Sequence, residues 1–338
     1  AGKEITTGIS NTIIGGLAGD ALTTGSGSVA IGQNALSSTT VGSDNIAIGR
    51  DALTINVNGS SSVAIGTLAL QDQAPTGTGN TYNIAIGHHA GRDISTSVNN
   101  TIIGGLAGDA INTGSHNTVL GQSALTNTTV GAENVSIGAS AMFTNVGGTA
   151  SVAIGKNALY HQNPGSSNVT MANVAVGTGA GQDILTAKNN TAIGNNSQFN
   201  ATTGDQNTSL GSSSIGNGIT TGSNNTAIGY RSGFALIGAS NNVLIGGNAG
   251  DAFTSGSNNV AVGLHALGSE TGGGRNVAVG FQVLKHAALN ANAYNAAVGY
   301  LAGTLITTGT NNAIVGGLAG DGISLGKNNA VLGYGALR

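Results

Sequence analysis

Asn11-Thr12-Ile13-Ile14-Gly15 is followed by Ser28-Val29-Ala30-Ile31-Gly32, Asn45-Ile46-Ala47-Ile48-Gly49 and Ser62-Val63-Ala64-Ile65-Gly66, each 17 residues after the last. Variants of this string run on to Gly333, most of them at the same spacing. A fixed short period means that one small unit is stacked on itself. The pattern predicts an all-β chain. Its fold is a parallel β-solenoid with about 17 residues per coil, one repeat body of about 19–20 coils over residues 1–338. Repetition also points away from an enzyme, because catalysis needs unique, converging groups and this chain offers copies.

Within one repeat, Val29 and Ile31 alternate with Ala30, the period of a strand. Ile14, Ile31, Ile48 and Ile65 share one slot, which holds Ile, Leu or Val in every copy, and so predict a column of like side chains. The opposite-facing slot of Ala30 is also small or apolar, where a strand facing water would carry polar residues. Both strand faces are therefore expected to be covered, one inside the coil and one by a second copy of the chain. The glycines Gly15, Gly32, Gly49 and Gly66 read as bends, and a second glycine ten residues on, as at Gly25 and Gly42, reads as another. Two corners per repeat predict two short strands per coil. The strand opens with Asn or Ser; Asn11, Asn45, Asn83, Asn100, Asn117 and Asn134 predict a hydrogen-bonded ladder of stacked side chains.

A longer period is superimposed. The text around Asn11 returns around Asn100, and the two prolines, Pro75 and Pro164, are also 89 residues apart. Wider gaps between motif glycines predict loop insertions near 71–82, 160–172 and 285–294. Charged residues are only 7% of the chain and its net charge is −3, which leaves no basic footprint for nucleic acid. No apolar run approaches the ~20 residues that a membrane-spanning helix needs, so no direct membrane insertion is expected. Cysteine is absent. So narrow a coil encloses a thin core, and such chains gain stability by oligomerising.

The strings at residues 28–32, 62–66 and 151–155, each followed by two variable residues and alanine, resemble the head repeats of YadA-like trimeric autotransporter adhesins. Related repeats occur in viral and phage fibre proteins. The resemblance implies a left-handed parallel β-roll, three chains side by side, and attachment at an extracellular, cell or virion surface. The family repeat is usually shorter, and neither stalk nor anchor is seen here.

Other chemistry is thinly represented. Asp20, Asp109, Asp251 and Asp321 each follow an Ala-Gly pair, but lie too far apart for the dense calcium-binding β-roll motif, and read as turn residues. His88 and His89 have no partner at metal-ligand spacing. No catalytic residue, cofactor or metal is expected. The position after the motif glycine becomes large or aromatic late in the chain, at Tyr230, Phe281, Tyr300 and Tyr334. These read either as local packing or as an exposed stripe touching a glycan or a host-surface receptor. The expected function is a non-enzymatic adhesive or structural fibre module that works as a homo-oligomeric rod, a trimer on the resemblance. The alternatives are a self-assembling filament subunit, since both ends stop within the repeat, and an ice-binding solenoid carrying Thr pairs such as Thr23-Thr24.

Overall fold

The computed structural model describes residues 1–165, 167–216, 220–288 and 291–338. Among them there are strands and turns and no helix. The chain divides into two compact units, Ala1–Ala172 and Asn173–Arg338. Each is a parallel β-solenoid. The first stacks nine three-residue strands, from Thr12–Ile14 to Val152–Ile154; the second stacks ten, from Val174–Val176 to Ala330–Leu332. Register is strict. Thr12, Ile13 and Ile14 pair with Val29, Ala30 and Ile31, which in turn pair with Ile46, Ala47 and Ile48. Ile48 pairs with Ile65 in the next coil. Ile14, Ile31, Ile48 and Ile65 thus stand one over another.

The coil has one strand, not the two expected from its two glycine corners. After Gly32, Asn34 and Leu36 both take left-handed backbone angles, φ 58° and 55°. Alternating left-handed residues cannot form a pleat, so this segment turns back on itself. The two recurring glycines also differ in purpose. At Gly32 (φ 130°) a Cβ would be both strained and 2.5 Å from the Gly49 carbonyl oxygen. At Gly42 only the second obstacle applies: its Cβ would lie 2.2 Å from the Gly59 oxygen. The expected insertions at 71–82 and 160–172 each add a two-residue parallel pair, Gly59–Ser60 with Gly79–Asn80 and Gly148–Thr149 with Val169–Thr170. Residue 166 of the second insertion and residues 289–290 of the expectation at 285–294 lie outside the described residues.

The core is narrow and in most coils is filled by one of two arrangements. In both, the inward strand residue is buried, for example Ala30, Ala47 or Ile102, and so is an alanine beyond the corner, such as Ala35. In the first arrangement, Leu36, Leu53, Leu125 or Leu159 fills the far side, and the residue three places on is a buried polar one: Thr39, Asn56, Thr128 or Gln162. In the second, the leucine is replaced by glycine and the later residue by Ile111, Leu236 or Phe253, all fully buried. A Cβ on Gly108 would meet Ile111 Cδ1 at 2.8 Å, and one on Gly250 would meet Phe253 at 2.5 Å. One volume is filled from either of two positions.

The Asn column ties coil to coil. Asn117 accepts a hydrogen bond at Oδ1 from the Asn134 backbone N–H at 3.0 Å, and donates from Nδ2 to Asn100 Oδ1 at 3.1 Å and to the Gly131 carbonyl at 3.0 Å. Asn45 does the same between Ser62 N–H and the Gly59 carbonyl. Half-buried Asn11 bonds Ser28 N–H and the Gly25 carbonyl, and buried Asn83, Asn100 and Asn134 repeat the scheme. Where Ser28 takes the slot, its hydroxyl accepts the Asn45 N–H at 3.2 Å.

Two predictions follow from this packing. Asn117→Ala strands buried groups on both neighbouring coils and lowers unfolding free energy by about 3 kcal/mol, whereas Asn117→Ser keeps one acceptor and loses about half of that; denaturant titration separates them. Gly108→Leu overfills its coil and costs about 1–3 kcal/mol, and adding Ile111→Thr restores most of the loss. Additive losses in the double variant would refute the exchange of volume.

Candidate interaction surface

Pleating dictates the outer face. With Ala30 turned inward, Val29 and Ile31 on either side of it must point out. The Ile14, Ile31, Ile48 and Ile65 column therefore lies on the outside of the solenoid. Ile14 is 58% exposed and Leu120, in the same column, 46%. In the second unit the corresponding column ends at Val298, Val315 and Leu332, all exposed. None of the nineteen stacked strands contains a charged residue. A sheet face that meets water ordinarily carries polar residues. These present an open apolar face instead.

A third column borders that face, at the residue after the corner glycine. In the first unit it holds exposed Gln33, Arg50 and His88. In the second it holds Tyr230 (58% exposed), Leu264, half-buried Phe281, Tyr300 (57%) and Tyr334 (81%). Phe281 and Tyr300 stack on each other, with centroids 5.4 Å apart and planes within 9°. Their ring faces are turned toward one another, so they offer edges outward rather than the flat platform on which a sugar ring stacks. Glycine gaps in the column are closed by neighbours: Tyr334 lies over Gly317, and Leu264 over Gly247.

Elsewhere polar groups are turned inward. Beneath the first insertion, buried Gln73 bonds Ser62, Asn56 and Asn83. Gln162 bonds Ser151 and Asn145 in the equivalent place beneath the second. Over the first insertion lies an open depression of about 240 Å³, lined by Pro75, Thr76, Thr78, Asn80, Thr81 and Thr96 among others. The threonine pairs also spend hydroxyls on stacking: Thr23 Oγ1 donates to the Thr40 carbonyl at 3.0 Å, and Thr6 to that of Thr23 at 3.1 Å.

One ionic cluster stands out in the first unit. Arg92 donates from Nε to Asp93 Oδ1 at 2.6 Å and lies 3.4 Å from Asp109 Oδ2; His89 Nδ1 is 3.8 Å from Asp109 Oδ1. Burial raises the Asp109 carboxyl above its usual range. Burial, with His88 beside it, lowers the His89 imidazole. Asp251 in the second unit is likewise raised by burial. Among the described residues, no group of three or more His, Cys, Asp or Glu could hold a metal ion, and no helix is long and apolar enough to cross a membrane. No protein-family model matches this chain, and neither does any curated protein sequence.

The pH dependence of stability has a definite sign. As pH falls through 6.5, the ordinary imidazole value, the unfolded chain takes up a proton at His89 before the folded one does, so this group lowers stability. The raised Asp109 acts oppositely, stabilising the fold on acidification toward 3.8. Melting temperature measured between pH 7.5 and 5.5 should fall more in the native chain than in His89→Gln. Identical slopes would show that His89 is not coupled to folding.

Proposed function

We propose that this chain is a non-enzymatic structural and adhesive module that works as a homo-oligomer, with stacked coils side by side, at an extracellular, cell or virion surface. The uncharged, exposed sheet face carries this reading. Counting four residues across at ~3.3 Å and nine rungs at ~4.8 Å, each unit offers an apolar strip on the order of 550 Å². Soluble monomers rarely expose contiguous apolar patches above a few hundred Å². Each strip alone is about two thirds of the ~800 Å² per partner of a standard interface.

A second copy is the occupant whose shape fits best. Ile and Val ridges one strand spacing apart interdigitate with ridges of the same spacing, and only another stack of the same pitch keeps step over many rungs. The resemblance to adhesin head repeats supports three copies. In this reading the rigid, hydrogen-bonded stack holds polar turns and the insertions toward a receptor. Threonine hydroxyls already bonded to the next coil's carbonyl, as at Thr6 and Thr23, favour neither ice nor any other flat lattice as the target.

Sedimentation or light scattering at micromolar concentration should show an oligomer, and a stable monomer would overturn the reading. Ile48→Lys with Ile137→Lys adds two charges to outward positions that make no core contacts. The pair should weaken association at least tenfold while leaving the melting temperature of dilute protein nearly unchanged. Unaltered association would place the interface elsewhere.

A further inference from the structure

Large and small side chains are distributed unequally across the apolar face of the second unit. Through most of the chain, the strand's first outward residue is Val, Ile or Thr. In the last three coils it is Ala296, Ala313 and Ala330, all exposed. In two of these coils the column on the opposite edge of the face carries Tyr300 and Tyr334; Gly317 stands in the coil between them, covered by Tyr334, and Phe281, one coil earlier, stacks on Tyr300. The first unit shows neither change: its strands begin with Thr, Val or Ile, and its bordering column is polar at Gln33, Arg50 and Lys156. One edge thus shrinks to a shallow groove where the other swells to a ridge.

Within one molecule this exchange does no packing, because the two columns flank the strand and point outward. It has a purpose between molecules. We infer that Tyr300 and Tyr334 of one copy seat against Ala296 and Ala330, in the Ala296–Ala313–Ala330 groove of a neighbouring copy running in the same direction at the same level. This rests on the homo-oligomer reading and adds its direction and register. Rotation about an axis along the stack carries the ridge of each copy onto the groove of the next, whether two or three copies close the ring. A copy running the opposite way would set ridge against ridge and groove against groove, leaving a gap beside a clash. Ridge and groove match by level at two coils, Tyr300 with Ala296 and Tyr334 with Ala330, while Gly317 stands at the level of Ala313 and Phe281 at that of Val277.

The absence of cysteine makes the test clean. Ala296→Cys, Tyr300→Cys and the double variant are treated with a short bismaleimide linker and run on denaturing gels. The double variant should give covalent dimers or trimers, and each single variant should stay monomeric. Linking of Tyr300→Cys alone would mean that like columns meet, and would overturn the inference. So would no linking in any variant while the native chain still sediments as an oligomer, an outcome that leaves the homo-oligomer reading intact. A native chain that sediments as a monomer would remove both. As a second measure, Ala296→Tyr should weaken association at least tenfold, and Ala296→Tyr with Tyr300→Ala should recover it; no recovery would count against the ridge-in-groove fit.

Discussion

The fold depends on one geometric constraint: successive coils approach at the strand repeat on every side, including the sides without a strand. The buried asparagine satisfies it. Its Oδ1 accepts the backbone N–H of the coil on one side, which sets pitch, and its Nδ2 donates to the carbonyl of the second corner glycine, which closes its own coil. Pitch and closure are therefore held by the same side chain, in a dry interior where such bonds are strong and their loss is expensive. The glycines follow from the same requirement. A Cβ at Gly49 or Gly121 would lie within 2.6 Å of the next coil's carbonyl oxygen.

A coil so tightly wound leaves little room inside, and this explains the composition. Inward strand residues are mostly alanine, and in most coils the large side chain beyond the corner is supplied by one of two positions. Where leucine takes it, the vacated position becomes polar and serves the hydrogen-bond network, as Gln73 and Glu270 do; Glu270 Oε1 accepts the N–H groups of Gly272 and Gly273. Where glycine stands in the leucine position, an aliphatic or aromatic side chain three residues on fills the space. Large apolar residues that are usually interior are displaced to the outer face, since the interior has no volume for both columns of the strand.

This inversion marks the limit of what was legible from the amino acids. The period, the parallel register and the asparagine slot are all visible in the text, because each recurs as identical letters one coil apart. The direction of the strand faces is not. Alternation normally reveals the outside by its polarity, and here Ala30 faces inward while Val29 and Ile31 face outward, so both faces look buried. The second strand failed for a related reason. Asn34 and Leu36 are unremarkable residues for extended structure, and their left-handed angles are imposed by the close coils around them. The reciprocal Gly108–Ile111 and Leu125–Thr128 pattern was visible in the sequence, and only the geometry shows that it conserves volume. The Ala296–Ala313–Ala330 series reads as ordinary strand variation until its exposed position is known.

An uncharged face repeated over many rungs is a hazard as well as the proposed interface, because a similar surface can stack on it. The bordering column is where the chain can restrict that choice. In the first unit Arg50 is 61% exposed and is anchored only loosely, its Nε 3.4 Å from Asp51, so that edge is costly to desolvate. In the second unit the same column carries aromatic residues at Tyr230, Phe281, Tyr300 and Tyr334, and desolvating these is favourable. Strand faces that are nearly alike thus meet opposite energetic terms at their margins. In the proposed oligomer, fit in the second unit and charge in the first would limit which arrangements of copies lower the free energy, whereas a uniform face would accept any register offset by one coil.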